Sequence, residues 1–299
     1  MLVSMLRLIV NPNASRGHLE DKLPALLSAL RLKGFTYTQH ITHKPEEVFE
    51  VAQGWDPIND TLLAVGGDGT VQSVARLAIQ KGFRMGIVPF GSANDFASCL
   101  GWSTRPEDAL RRLSETVTPV DLGLMDGNHL FVNGLGMGFD ALAGKLSYDA
   151  PKQLTGMPRY GWAVAKGLRQ MENLQVQIIA DGREIYSGKS FLVSIMNSTR
   201  YGGGFKVAPQ AHPADGLLDV VIGKEISKPV LAGVLPLVLM GQHTALPYVI
   251  IARAREVTVR WEKPQVCHLD GEMLPDCTEC HVQVQPSVLQ LQGRLNAYT

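Results

Sequence analysis

The segment GGDGT at residues 66–70 most constrains the fold of this chain. It follows an apolar run at 61–65, which predicts a buried strand, and it precedes helical spacing at 71–79. A strand, a glycine-rich turn and a helix N-terminus together favour anion binding, because glycines let the backbone approach closely and the helix dipole attracts negative charge. Glycines alone would also suit an ordinary tight turn. Asp68 would repel a phosphate unless a divalent cation bridged the two, and Thr70 is predicted to be the N-cap of the helix.

The length of 299 residues and a change in texture near the middle predict two domains. Residues 1–122 alternate short apolar runs with helical patterns, which predicts an α/β domain with a parallel sheet and flanking helices, completed by residues 286–299. Residues 123–285 carry closely spaced strand-like runs separated by turn signals, which predicts a β-rich, sandwich-like domain. We expect the two domains to pack closely and to leave a cleft between them.

The individual elements follow from the same patterns. In the first half, strands are predicted at 6–10, 35–42, 61–65 and 84–88, and helices at 19–33, 45–54, 93–100 and 106–113. In the second half, strands are predicted at 130–133, 175–180, 191–195, 217–222, 249–252, 257–261 and 281–285, with helices at 159–171 and 229–241.

Charge and hydropathy limit the classes of partner. Lys and Arg total 28, as do Asp and Glu, and this balance argues against a general nucleic-acid binder. The first ten residues resemble a strand and not an export signal. No apolar run reaches the ~20 residues that span a bilayer, since the longest candidate, 230–240, is short and contains Pro236. We therefore expect a cytoplasmic protein whose membrane contact is peripheral.

The cysteines allow several interpretations. The segment CTECH at 277–281 matches the spacing of a c-type haem attachment motif, and Cys267 and His268 make a zinc site conceivable. Haem attachment requires export, and a zinc site requires four well-spaced ligands. Four cysteines without an export signal favour a reducing compartment. We therefore predict reduced thiols in or beside a strand.

Three polar turns, at 11–17, 66–70 and 89–96, each follow a predicted strand of the first domain. Ligands bind at the carboxyl ends of the strands in an open α/β sheet, so the three turns should meet at one site. Ser92 in the third turn can contact phosphate or cap the next helix. No P-loop pattern supplies a lysine, so Mg²⁺ and Arg16 are the candidates for screening phosphate charge.

Taken in order, the motifs resemble those of the diacylglycerol kinase catalytic-domain family, and most of all the bacterial soluble lipid kinases of the YegS and DgkB type. GGDGT alone is shared with NAD kinases and resembles the GGDGS of phosphofructokinases, whereas the later motifs separate the lipid kinases from both. The resemblance covers nearly the whole chain and rests on Asn11-Pro12, 66–70, 89–96, 121–123, 133–140, 203–205 with Pro209, 215–219 and 270–272.

The resemblance implies an NAD-kinase and phosphofructokinase-like first domain, with the active site and its ATP in the interdomain cleft. It implies a structural Mg²⁺ in the second domain, held by the Asp215 side chain and the backbone carbonyls of His212 and Leu217, which are oxygen ligands that suit a hard cation. The positions that would contact ATP are Asn11, Thr42, Gly66, Gly67, Asp68, Gly69, Thr70, Val71, Gln72 and Ser92.

By the same resemblance, Glu272 is the base that accepts the proton of an attacking hydroxyl, and Asp270 is an alternative base or an orienting group. Asp68 would hold the catalytic Mg²⁺ against the phosphates. The implied reaction transfers the γ-phosphoryl group of ATP to a hydroxyl of a membrane lipid, such as diacylglycerol or phosphatidylglycerol. From the residues alone, Asp270-Gly271 also fits an ordinary hairpin turn.

Two positions depart from the usual family pattern. Gln72 and Ser73 stand where Asn-Glu is common, so a donor for the nucleotide is kept and an acid is lost. Ser92 stands where Thr is common and keeps the hydroxyl. Two other functions are compatible with the motifs: phosphorylation of a soluble alcohol such as NAD, and nucleotide binding by a catalytically silent regulator. The sequence fixes neither the lipid nor the oligomeric state, for which a homodimer is one candidate.

Overall fold

The computed structural model describes residues 5–14, 19–103, 105–113, 116–151, 153–154 and 157–295. The chain forms two compact units. Unit 1 comprises Met1–Asp121 and Ser287–Thr299, and unit 2 comprises Leu122–Pro286. The chain passes from one unit to the other within two long strands, β5 (Val117–Met125) and β13 (Glu272–Gln292).

Unit 1 is built on a parallel sheet with the order β2-β1-β3-β4. The end of β13 adds a fifth parallel strand, since Gln290 and Leu291 pair with Arg84 and Met85. β3 is buried along its whole length, as expected of a central strand covered by helices on both faces. The four strands that open the unit are β1 (Met5–Val10), β2 (Thr36–Ile41), β3 (Asp60–Gly66) and β4 (Arg84–Pro89).

The helices of unit 1 connect these strands and cover the sheet. They are α1 (Leu19–Leu32), α2 (Glu47–Val51), α3 (Asp68–Lys81), α4 (Asp95–Cys99) and α5 (Pro106–Arg112). The prediction that Thr70 caps α3 is wrong, because the helix begins at Asp68 with Gly67 as its N-cap. Thr70 lies in the first turn of α3, and its side chain is buried against Gly66. A Cβ atom at position 66 would collide with that side chain, so glycine is required there.

Unit 2 is antiparallel in the strand pairings described within it. β7 and β8 both lie between the long strands β9 and β12, with β8 beside one half of each and β7 beside the other. β10 and β11 continue beyond β9. The remaining strands are β6 (His129–Phe131), β7 (Gly134–Gly138), β8 (Leu174–Ala180), β9 (Arg183–Met196), β10 (Leu218–Lys224), β11 (Val249–Ala254) and β12 (Glu256–Leu269).

The described residues of unit 2 form three α-helices, α6 (Phe139–Tyr148), α7 (Met157–Gln170) and α8 (Lys228–Met240), and a short 3-10 helix at His243–Ala245. α7 and α8 were predicted, whereas β7 and α6 were not. β7 has the sequence GLGMG, whose glycines have low strand propensity and give no alternating pattern. α6 follows β7 directly and was missed because the sequence gives no signal of a boundary between the two elements. No helix in the described part of the chain is both long enough and apolar enough to cross a bilayer.

Candidate active site

In unit 1, the polar turns that were predicted to bind nucleotide follow neighbouring strands at the carboxyl edge of the sheet. Asn11 follows β1, and its backbone N–H donates to the Val65 carbonyl oxygen at 3.2 Å. Thr42 follows β2, and its N–H donates to the Val10 carbonyl oxygen at 2.9 Å. Gly66, at the end of β3, lies opposite Pro89 at the end of β4. The parallel order therefore brings the turns to one edge, where such sheets bind ligands. Arg16 lies outside the described residues.

The second and third turns touch each other through glycines. The Gly66 carbonyl oxygen accepts the backbone N–H groups of Phe90 at 2.8 Å and Gly91 at 3.2 Å. A Cβ atom on Gly91 would lie 2.5 Å from the Cα of Gly67, a distance that real side chains essentially never show. Gly67 has φ −99°, a backbone conformation that any residue can adopt. Glycine is therefore favoured at this position by the close contact and not by backbone conformation. The loops can cross at this distance because Gly91 lacks a side chain, and a Cβ atom on Gly67 would also be tight, at 3.1 Å from the Gly91 Cα.

Asp68 and Asn94 hold this pair of loops together. Oδ1 of Asp68 accepts the backbone N–H of Phe96 in α4 at 3.2 Å, so the acid connects the GGDGT loop to the following turn. Of the two roles predicted for Ser92, the cap of α4 is wrong, since Asn94 is the N-cap; Ser92 is exposed in the turn, and its contact with phosphate stays a prediction. Asn94 has a left-handed backbone, with φ 52°, and its side chain exchanges two 2.8 Å hydrogen bonds with the backbone of Gly91. The tolerance of asparagine for that conformation is the signal that could have identified it.

Gln72 lies in the first turns of α3 with its side chain only 2% exposed. Its Nε2 has no hydrogen-bond partner among the described residues. Leaving a buried donor unsatisfied costs about 1–3 kcal/mol, so such a group usually has a partner that is not part of the chain. The donor predicted for nucleotide contact is therefore present and uncommitted.

In unit 2, the Asp270 carboxylate organises a turn between two strands. Asp270 and Gly271 have φ 51° and 91° and form the two-residue hairpin between β12 and β13. Oδ2 of Asp270 accepts the N–H of Val132 at 2.7 Å, and Oδ1 accepts those of Asn133 at 2.7 Å and Gly134 at 2.9 Å. A carboxylate with three backbone donors is held in place, which favours the orienting role over the role of base. Glu272 is the first residue after the Asp270-Gly271 turn, and its side chain is exposed.

His268 connects this hairpin to a buried carboxylate. Its Nδ1 accepts the Gly271 N–H at 3.3 Å, and its Nε2 lies 3.9 Å from Oδ2 of Asp140. That oxygen also accepts hydrogen bonds from the hydroxyl groups of Tyr201 and Ser194. Burial raises the pKa of Asp140, with His268 and the two hydroxyls opposing the shift, and burial lowers the pKa of His268. Sequence reasoning missed this cluster, because its members come from four separate elements.

Asp140 also faces an apolar cavity within unit 2. The cavity has an empty volume of about 710 Å³, part of it open to solvent. Its walls come from α6, α7, α8 and the strands beneath them, and among the described residues Asp140 is the only acidic one that lines it. Typical lining side chains are Phe139, Val164, Phe191, Leu231, Leu235 and Val238. The cavity is therefore suited to a hydrocarbon chain with one polar group at its end.

The turn at 212–217 was predicted to hold a structural Mg²⁺. Oδ1 of Asp215 accepts the Leu217 N–H at 3.1 Å, and Nδ1 of His212 accepts the Ala214 N–H at 3.1 Å. Oδ2 of Asp215 lies 3.8 Å from the guanidinium of Arg253, which already supplies positive charge to that carboxylate. Carboxylate and carbonyl oxygens suit a hard cation, but a cation here would compete with Arg253. The site stays a prediction.

The cysteines of unit 2 lie on adjacent strands. Cys267 on β12 and Cys277 on β13 have their sulfur atoms 3.9 Å apart, and Cys280 packs against the sulfur of Met137 at 3.6 Å. His268 turns toward Asp140, and His281 hydrogen-bonds Thr258. Among the described residues, no three His, Cys, Asp or Glu side chains come together in a way that could hold a metal ion. The thiols are free and lie within strands.

Comparisons with known proteins match both units. A family model described as the YegS C-terminal NAD kinase beta sandwich-like domain matches residues 134–293, which is more than half of the chain, and the diacylglycerol kinase catalytic domain matches residues 5–125. The chain belongs to the YegS/DgkB-type family of bacterial diacylglycerol kinases. It is thereby a lipid kinase by family, and the predicted fold class, α/β followed by β-rich, is confirmed.

Relatives and solved structures agree with this membership. The diacylglycerol kinase of Bacillus subtilis (strain 168) is 29% identical over 285 residues, covering 90% of this chain and 91% of the relative. The diacylglycerol kinase of Staphylococcus saprophyticus is 28% identical, covering 89% and 88%. A diacylglycerol kinase structure from Bacillus anthracis str. Sterne has a TM-score of 0.73 at 22% identity, covering 97% of both chains. An NAD kinase from Archaeoglobus fulgidus in complex with ATP shares the fold, with a TM-score of 0.54 at 14% identity, covering 98% and 94%.

Proposed function

We propose that this kinase transfers the γ-phosphoryl group of ATP to a hydroxyl of a membrane lipid such as diacylglycerol. The observation that carries the proposal is the apolar cavity of unit 2, whose single carboxylate, Asp140, is connected through His268 to the hairpin that bears Glu272. A soluble alcohol such as NAD would not need a cavity lined by apolar side chains. The matched relatives, which are diacylglycerol kinases, support the same substrate class.

ATP would be held by the turns at the carboxyl edge of the unit 1 sheet. The N-terminus of α3 supplies backbone N–H groups and a favourable dipole for phosphate. The contact between Gly67 and Gly91 keeps side chains away from the space above this terminus. The uncommitted Nε2 of Gln72 supplies a further donor, and Asn11, Thr42 and Ser92 are the polar residues proposed for the rest of the nucleotide.

Mg²⁺ would be held by Asp68, whose carboxylate lies at the same helix terminus. The fit rests on chemistry, since a carboxylate oxygen is the ligand that Mg²⁺ prefers beside phosphates, and Asp68 would otherwise repel them. The ion supplies charge neutralisation for the transferring group. Oδ1 of Asp68 is fixed by the Phe96 N–H, which sets the direction of the carboxylate.

Glu272 would accept the proton of the attacking hydroxyl. Its neighbour Asp270 has its oxygens occupied by three backbone donors, and this leaves Glu272 as the carboxylate of the hairpin with an exposed side chain. A positioned base contributes typically about 100-fold to 10,000-fold to the rate. Asp270 is the orienting group, because it fixes the turn from which Glu272 projects.

The test is phosphorylation of a panel of diacylglycerol, phosphatidylglycerol, a sphingoid base and NAD, with labelled ATP and Mg²⁺. We expect a labelled lipid product, and Glu272→Gln should lower kcat by about 100-fold or more. The matched control is Glu279→Gln, an exposed acid on the same strand that pairs with Arg260 and should leave the rate unchanged.

Labelled NADP with no labelled lipid would replace this proposal with the soluble-alcohol kinase. ATP binding without turnover on any member of the panel would support the silent regulator. Equal rates for Glu272→Gln and the wild type would keep the reaction but remove Glu272 as its base.

A further inference from the structure

We propose that the outward face of α8 docks this kinase onto a lipid bilayer. The inference rests on the proposed function in one respect, because it places the membrane against the wall of the cavity assigned to the lipid substrate. It names an element and a surface that the family membership does not assign.

α8 is apolar on every side. After Lys228 its sequence is PVLAGVLPLVLM, and among the described helices it alone has no polar side chain beyond its first residue. Helices that are apolar all round are expected inside a protein or in contact with lipid. Only Leu231 of this helix is fully buried, so the part of the chain that the structure describes covers α8 incompletely.

The two faces of α8 have different surroundings. Residues 231, 234, 235 and 238 recur at helical spacing and line the apolar cavity. Residues 229, 232, 233, 236 and 240 recur on the opposite side and are exposed. Val230 and Met240, at the two ends of the helix, are 40% and 52% exposed. One helix therefore separates the cavity from solvent with apolar groups on both of its sides.

The length and charge of α8 favour a bilayer surface over another protein. Thirteen residues rise about 20 Å, which is too short to span a bilayer. No acidic residue lies on the helix to repel lipid phosphates. Lys228 begins the helix and donates to the Arg169 carbonyl oxygen at 2.6 Å, which keeps its ammonium at the edge of the apolar face. The nearest acid in sequence, Glu225, is paired with Lys189 at 3.5 Å.

Docking in this orientation would place the cavity directly behind the lipid surface. A substrate would then enter past a helix whose two faces are both apolar, so that its hydrocarbon chain need not cross water. The positions that carry this inference, Val230 and Met240, lie outside the cavity lining and the hairpin.

The experiment compares the wild type with Val230→Glu/Met240→Glu. Binding is measured by sedimentation with vesicles of phosphatidylcholine and a minority of phosphatidylglycerol. Activity is measured on dihexanoylglycerol dissolved below its micelle concentration. We expect vesicle affinity to fall by about tenfold or more, because two charges enter the apolar face, with activity on the soluble lipid unchanged. The matched control, Leu32→Glu/Ile58→Glu, replaces two exposed apolar residues of unit 1 and should bind vesicles like the wild type.

A second measurement does not depend on loss of binding. The added tryptophan of Met240→Trp is observed as the emission of the variant minus that of the wild type. This difference emission should shift to shorter wavelength when vesicles are added, because the indole enters an apolar environment. Wild-type vesicle affinity in the glutamate variant, or no shift from Met240→Trp, would overturn the docking proposal. If vesicle binding depends on α8 while no lipid alcohol is phosphorylated in any form, the docking surface stands and the proposed function fails.

Discussion

The carboxylate of Asp270 accepts the backbone N–H of Asn133 at 2.7 Å, and this bond ties the β12–β13 hairpin to the entry of β7. Asn133 in turn receives the N–H groups of Asn197 and Ser198 on its carbonyl oxygen, at 2.9 and 3.0 Å. Three segments far apart in sequence thus meet at the backbone of Asn133. The position of Glu272 depends on this arrangement, because Glu272 is the first residue after the turn.

Asp270→Asn should destabilise unit 2. The amide keeps one acceptor oxygen but turns an NH₂ group toward a backbone N–H, so we expect a loss of about 1–3 kcal/mol in the free energy of unfolding. Urea denaturation measures it. The control is Asp181→Asn at a second Asp-Gly hairpin, where Oδ1 alone accepts two N–H groups at 3.0 Å and the asparagine oxygen can replace it. Equal losses in the two variants would contradict the special role of Asp270.

Gly91→Ala should destabilise unit 1 and weaken ATP binding, because its Cβ would lie 2.5 Å from the Gly67 Cα. Overpacking of this kind costs about 1–3 kcal/mol. Gly69→Ala is the matched control for stability, since nothing lies within 4 Å of a Cβ there and the residue is helical. Thermal denaturation without nucleotide should show a loss for the first variant and none for the second. A neutral Gly91→Ala would show that the loops can separate at little cost.

Gln72→Ala should weaken the complex with ATP. Truncation of this buried side chain also leaves a cavity and lowers the melting temperature, so the nucleotide affinity, measured well below that temperature, is the quantity that tests the role of Nε2. If the donor serves ATP, the nucleotide affinity should fall by about tenfold, or 1.4 kcal/mol. Titration calorimetry gives the affinity, and Gln80→Ala, at the exposed end of the same helix, is the control. An unchanged affinity would remove Gln72 from the nucleotide site.

Acidification should weaken unit 2 through His268. Nδ1 accepts the Gly271 N–H, so the folded state needs the neutral ring, and burial lowers the pKa of His268 below its ordinary value of 6.5. At a pH between the lowered pKa of His268 in the folded state and 6.5, the unfolded chain binds more protons than the folded chain. The stability that the neutral His268 ring contributes is therefore complete above pH 6.5 and is lost as the pH falls below it. His243 has a pKa lowered by burial in the same way, so only part of the effect belongs to His268.

Urea midpoints from pH 7.5 down to 5.5 should fall more steeply for the wild type than for His268→Gln, whose side-chain oxygen can still accept the Gly271 N–H. His43→Gln, at an exposed histidine of unit 1, should follow the wild-type curve. Parallel curves for the wild type and His268→Gln would contradict the assignment.

Cys277 should be the first cysteine to react with iodoacetamide. The hydrogen bond between the two thiols lowers the pKa of Cys277, and the same pairing, together with burial, raises the pKa of Cys267. Cys99 and Cys280 are buried, and burial raises the pKa of Cys280 as well. Timed alkylation with peptide mapping gives the order. Cys267→Ala removes the sulfur that pairs with Cys277 and should slow the reaction at position 277, whereas faster modification of Cys280 would contradict the prediction.

The sequence predicted those parts of the fold in which local pattern and tertiary environment agree. β3 and α3 follow from an apolar run and helical spacing, and α8 follows from a long apolar pattern. β7 was missed because its glycines hide a strand that is held by its neighbours β9 and β12. The Thr70 cap was wrong because propensity favours threonine as a cap, whereas packing against Gly66 placed the helix start earlier.

The candidate site also has one part that could be predicted from the sequence and one part that could not. The turns at the carboxyl edge of the unit 1 sheet follow from topology, since every parallel strand ends there. The Asp140–His268 cluster could not be predicted, because nothing local connects the start of α6 with the end of β12. The ATP, Mg²⁺ and base assignments stay predictions for the experiments above.

The pairing of Gln290 and Leu291 with β4 has a consequence for synthesis on the ribosome. Unit 1 receives its fifth strand only after all of unit 2 has been made, and the Trp102 indole finds its acceptor, the Arg294 carbonyl oxygen, at the same late moment. Until then, the edge of β4 lacks a partner along Arg84 and Met85. The nascent chain therefore holds a complete GGDGT loop in an unfinished sheet, and nucleotide-binding competence should arrive last.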